Sequence, residues 1–195
     1  MFWGSKDTSV TFCEDKYIKS QYIAEYYNTL SGISYSLVGL YFYNKNIKDI
    51  GFILFFLGIG TCLLHATQRF YGQWLDECSM LTLCFYTIKR LRLKKNKFTR
   101  DNILLVILFS YFYFDNFFGY FLILFSSLLI YIYFIAKELN INRRYFQIYL
   151  YVFIFSAVCW ALDQVFCNYV KNYYLHAVWH IGTSISIFFG INSIL

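Results

Sequence analysis

Apolar runs long enough to cross a bilayer follow one another along this 195-residue chain with almost nothing between them. A hydrocarbon core about 30 Å thick takes about 20 residues of helix, and the backbone inside it must satisfy its own hydrogen bonds. The windows fall at about 27–43, 50–68, 73–88, 102–114, 117–136, 146–168 and 174–194. The fourth is short, and Asp115, Asn116 and Gly119 in "FDNFFGYF" predict a tight turn into the fifth. The chain therefore reads as all-α, a polytopic membrane protein folded as a seven-transmembrane-helix bundle, or six helices if the fourth and fifth windows are misread. Composition agrees, with 59% hydrophobic and 14% charged residues against about 25% charged in a typical soluble domain. Residues 1–195 make one membrane-embedded domain. Residues 1–26 form a polar N-terminal arm, and Lys6, Asp7, Glu14, Asp15, Lys16, Lys19 and Glu25 within it do not fit a cleavable signal peptide.

Orientation follows from the loops. "KRLRLKKNKFTR", after the third window, carries seven Lys and Arg, and Lys45, Lys48, Lys137, Arg143 and Arg144 lie on the same side. That side holds twelve basic residues and the other five. Positive loops stay in the cytosol, which puts the N-terminus in a lumen and the C-terminus in the cytosol. Basic loops between membrane spans are topogenic, so no nucleic-acid partner is inferred, and no protein partner is evident.

Polar residues that lipid would refuse then collect in one leaflet. His65 ends the second span, Asp76 begins the third, and His176 and His180 open the seventh. These are all the histidines in the chain. Residues four apart share a helix face, so His176 and His180 can hold one ion between them, with His65 as the third ligand. Three protein nitrogens leave a fourth position open, as in catalytic zinc sites. Asp76 would orient a ligand's second nitrogen or handle a proton at the zinc water. Thr61, one turn before His65, offers a hydroxyl on the same face. Asp163 in "CWALDQVFC", with Trp160 one turn away, reads equally as a helix-anchoring hydrogen bond or a site residue. Cys62, Cys78, Cys84 and Cys159 lie within spans as small apolar residues. Cys13 and Cys167 both fall on the lumenal side, where a disulfide can form.

The arm "FCEDKYIKSQYIAEYYNTLS", then "TCLLHATQRFYGQWLDE", "WALDQVFC" and "HAVWH", resemble the alkaline ceramidases. These belong to a superfamily of seven-helix membrane hydrolases that includes the adiponectin receptors and the GPI-anchor lipid-remodelling proteins. The resemblance implies a zinc-dependent amidase splitting ceramide, a membrane lipid, into sphingosine and a fatty acid, in the endoplasmic reticulum or Golgi. By position, His65, His176 and His180 would bind zinc and Asp76 would handle protons. Thr61 stands where the family has serine. The family's arm also resembles a calcium loop, for which Phe12, Glu14 and Glu25 would be the ligands; Thr11 and Lys16 depart from it, and Lys16 offers its own charge to Glu14 or Glu25. Cys13 and Cys167 match positions that the family can bridge, and the segment from Cys167 to His176 is shorter than in typical relatives. Two other readings stay open. One is a non-catalytic lipid receptor or structural protein with a residual zinc site; the other is a sister hydrolase acting on ester lipids.

Overall fold

The computed structural model describes residues 2–97, 100, 102–111 and 117–195. Among them all regular structure is helical: α1 (Tyr26–Asn44), α2 (Lys48–Thr67), α3 (Phe70–Leu93), α4 (Asn102–Tyr111), α5 (Phe117–Lys137), α6 (Arg143–Val165), a one-turn α7 (Cys167–Val170), a 3-10 turn (Lys171–Tyr173) and α8 (Leu175–Ile194). Gly119 lies inside α5; the rest of the turn expected before it, at Asp115 and Asn116, lies outside the described residues.

The protein is a helical membrane protein. Four helices, Lys48–Thr67, Phe118–Lys137, Arg143–Val165 and Leu175–Ile194, are long and apolar enough to cross a membrane unaided. The inward faces of α1 and α3 carry polar residues instead, with Asn28, Thr29 and Ser31 buried on the first and Gln73, Glu77 and Ser79 on the second. In a membrane such groups must face protein rather than lipid.

α1 packs between α2 and α8, α3 packs on α2 and α5, and α8 packs on α6. The two ends of this bundle differ in kind. Toward the basic loops, Phe42, Ile50, Leu54, Leu91, Ala136 and Ile194 form an apolar core. Outside it Arg90 pairs with Asp49 at 2.5 Å, and Lys95 pairs with Glu138. At the other end the buried residues are Glu14, Glu25, Asn28, His65, Gln73 and their neighbours.

Two close approaches fix that polar end. Only Gln68 and Arg69 separate α2 from α3, and Gln68 turns the chain in the left-handed region at φ 55°. A Cβ on Gly60 of α2 would stand 2.6 Å from the Asp76 amide nitrogen, and one on Gly72 of α3 would stand 2.5 Å from that of Leu64. Glycine at both crossings lets the two backbones touch, as small residues do between membrane helices.

Candidate metal centre

Helix α1 begins without a side-chain cap of its own, so its first N–H groups need other acceptors. Glu14, twelve residues upstream of Tyr26, supplies them: its carboxylate accepts from the N–H of Tyr27 (2.8 Å) and Asn28 (2.9 Å). The helix dipole favours an anion there. The Glu14 carboxyl is nonetheless held above its ordinary range, because burial outweighs those two N–H groups. The arm is pinned further by Gln73, fully buried, which donates to Ser9 Oγ (2.7 Å) and Glu77 Oε1 (2.8 Å) and accepts from Ser9 N–H (2.9 Å). Cys13 and Cys167 are joined as a disulfide. Asp163 at the end of α6 accepts from the Cys13 N–H at 3.2 Å, which makes it an anchor for the arm.

Under this arm the three histidines meet. His65, His176 and His180 are buried, their ring centroids lie 4.5 to 5.0 Å apart, and one nitrogen from each lies within 4.8 Å of the others. The Phe12 ring covers them, 4.6 Å from the His65 ring and 4.1 Å from that of His176. His65 Nδ1 bonds Glu25, and His180 Nδ1 bonds Ser31 Oγ at 2.7 Å. Those contacts leave Nε2 of each ring for an ion. His65 Nε2 and His176 Nδ1 are buried and find no partner among the described residues. An unpaired buried nitrogen is costly, and three imidazoles around one point form a donor set that suits zinc. The cluster can hold a metal ion.

Of the two roles open to Asp76, orienting a ligand's second nitrogen falls to other residues. Asp76 bonds neither His65 Nδ1 nor His180 Nδ1; its Oδ1 accepts from the Thr61 hydroxyl, whose oxygen also lies 2.9 Å from the Leu57 carbonyl. Glu25 and Ser31 take the orienting places that second nitrogens require. Ser31 was legible only as a periodicity, since Asn28, Ser31 and Tyr35 share one face of α1. For Glu25 the resemblance implies a calcium ligand, and the sequence offers Lys16 as its partner in place of the ion. Phe12, Glu14 and Glu25 do come together, but Lys16 Nζ stands among them, donating to the carbonyls of Phe12 (2.8 Å) and Glu14 (2.7 Å) and to the Glu25 carboxylate. Burial alone would raise the Glu25 carboxyl; His65 and Lys16 outweigh it and hold that carboxyl below its ordinary range.

The histidines, Thr61 and Asp76 open into one cavity of about 330 Å³, walled by Trp160, Trp179 and residues of α5 and α6. It reaches Leu122 and Ile130, which are exposed on the outer face of α5. A narrower apolar cavity of about 90 Å³ shares Tyr35, Leu57 and Trp179 with it and runs to Leu91, Ala136 and Ile194 near the basic end.

This is a helical membrane protein whose buried three-histidine centre lies beneath a disulfide-tied arm, at the head of an apolar chamber. The ceramidase family model matches residues 4–194, and the chain belongs to that family. It is 29% identical over 206 residues to an alkaline ceramidase of Arabidopsis thaliana, covering 94% of this chain and 81% of that protein. It is 23% identical over 225 residues to alkaline ceramidase 3 of Mus musculus, covering 97% and 84%. A 94-residue stretch is 35% identical to an alkaline ceramidase of Saccharomyces cerevisiae, covering 44% of this chain and 30% of that one.

Proposed function

We propose that this protein is a zinc-dependent intramembrane amidase that hydrolyses ceramide to sphingosine and a fatty acid. One observation carries the reading: three histidine nitrogens within 4.8 Å of one another, at the head of an apolar chamber, in a chain of the ceramidase family. His65, His176 and His180 would hold the zinc. Zinc in such a site supplies Lewis acidity toward a carbonyl oxygen and acidifies water.

The chain's own groups supply the rest. Glu25 and Ser31 fix the ring orientations of His65 and His180. Asp76 faces the same chamber, and Thr61 holds its carboxylate in place. Asp76 is thus the group to take a proton from attacking water and pass it to the leaving amine. Threonine keeps the hydroxyl of the family's serine in this bond, on a stiffer side chain. The opening at Leu122 and Ile130 admits a lipid from the side, and the deep apolar cavity receives one of its chains. In this reading seven spans place the arm in the lumen of the endoplasmic reticulum or Golgi and the basic loops in the cytosol.

Purified protein in liposomes tests this, with labelled ceramide and a phospholipid ester offered side by side. Ceramide turnover that disappears in a His176→Ala, His180→Ala variant is the expected result. Turnover of the ester alone would assign the chain to a sister activity, and undiminished ceramide turnover in the variant would remove the histidines from the chemistry.

A further inference from the structure

The arm's cation is part of the chain. A hard divalent ion takes 6–8 oxygen ligands at about 2.3–2.6 Å. Here the Phe12 and Glu14 carbonyls and a Glu25 carboxylate oxygen are all bonded to one ammonium, Lys16 Nζ, and the Glu14 carboxylate, the acidic ligand expected there, is taken by the Tyr27 and Asn28 N–H groups. A second ammonium stands close by: Lys6 Nζ donates to the Thr11 hydroxyl. Calcium does not fit among these groups, because two fixed positive charges would repel it and its ligands are already engaged.

What the ammonium touches gives it a task. Lys16 bonds Glu25 Oε1, while Glu25 Oε2 bonds His65 Nδ1 and accepts from Asn28 Nδ2 at 3.1 Å. Glu25 is fully buried, so its carboxylate is fixed from both sides and has no freedom to turn. The same ammonium grips the Phe12 carbonyl, and the Phe12 ring lies against His65 and His176. One side chain therefore reaches the histidine cluster by two routes, through a carboxylate and through an aromatic ring.

We propose that Lys16 is a positioning residue, a built-in cation that holds Glu25 and Phe12 in register with His65, so that this protein works without an added hard cation. Only the activity readout rests on the hydrolase reading; stability and zinc affinity report on Lys16 without it.

The test uses the purified full chain, as wild type and as Lys16→Asn, each with a calcium chelator or with millimolar calcium. Asparagine removes the charge and offers a neutral oxygen where the ammonium stood. Thermal unfolding, zinc affinity by competition with a chromophoric chelator, and ceramide turnover are measured on each. Wild type is expected to be indifferent to calcium in all three. In chelator, Lys16→Asn should unfold at lower temperature, bind zinc about ten-fold more weakly, the lower end of the loss seen when a ligand's support is removed, and turn over correspondingly slowly. Calcium should restore it in part, because three oxygens are vacated for the ion while the Lys6 ammonium still stands close by. The proposal is overturned if calcium stabilises or activates wild type, if Lys16→Asn matches wild type in chelator, or if its losses persist in full in calcium. Should no sample turn over ceramide while the stability and zinc results behave as described, the hydrolase reading fails and Lys16 keeps its role.

Discussion

Gly60→Ala is the substitution with the clearest geometric consequence. Gly60 precedes Thr61 in α2, and an added Cβ would stand 2.6 Å from the Asp76 nitrogen and 2.8 Å from its Cα. Both neighbours are backbone, so no side chain can swing aside. Ordinary van der Waals contact begins at 3.4 Å, and α2 and α3 must separate by most of an ångström at the point where Thr61 meets Asp76. Alanine favours helix over glycine by about 1 kcal/mol, whereas overpacking costs about 1–3 kcal/mol, so net stability falls by no more than about 2 kcal/mol. Activity should suffer far more, since a displacement near 1 Å in a catalytic group costs about 100-fold. Gly39→Ala serves as the comparison. Its Cβ would meet the Gly51 carbonyl oxygen at 2.7 Å, between α1 and α2 near the basic end. Both variants should lose thermal stability to a similar degree, and only Gly60→Ala should lose kcat/KM on liposomal ceramide. Wild-type kcat/KM in Gly60→Ala at equal zinc content would refute the claim that this helix contact sets the Thr61–Asp76 pair.

Three further outcomes follow from the same structure. A Cys13→Ser, Cys167→Ser variant opens a loop with a sequence separation of 154 residues; chain entropy in solution would make that about 5 kcal/mol, and inserted helices reduce it. A thermal midpoint that falls by a few degrees, and wild type that shifts on reduction while the variant does not, are expected; no shift in either would contradict this. Glu14 keeps its proton to higher pH in the folded chain than in the unfolded one, so its contribution to stability is greatest in acid and declines as pH rises through the carboxylate range from about pH 4. The midpoint of wild type relative to Glu14→Gln should fall across that window, and a rise would be contrary. Thr87→Phe places a ring in the deep apolar cavity; turnover of long-chain ceramide should drop about ten-fold or more relative to a short-chain analogue, and equal loss for both would remove that cavity from substrate binding.

Much of the site was legible because chemistry in a membrane is sparse. Each histidine stood in an apolar run where burying it needs a reason, and the i, i+4 pair carried its own geometry. The helix ends were less legible. The third window stops at residue 88, yet α3 continues to Leu93, because Arg90 reaches Asp49 while Leu91 packs into the core. Hydropathy ends where charge begins, whereas a helix ends where its packing does. The seventh window opens at 174, but Tyr174 is in the left-handed region between a 3-10 turn and α8, a local fold that no apolar count carries. The sequence offers Lys16 as a charge partner for Glu14 or Glu25, and the structure pairs it with Glu25. That one carboxylate joins Lys16 to His65, 40 residues along the chain from Glu25, is a tertiary fact without a sequence period.

Metal stoichiometry, measured on the same samples as ceramide turnover, decides whether the three-histidine centre does the chemistry. Wild type should carry one zinc per chain and hydrolyse ceramide, and His65→Ala, with the arm's disulfide intact, should lose both together. Full ceramide hydrolysis by a zinc-free His65→Ala protein would take both the metal and this histidine out of the reaction.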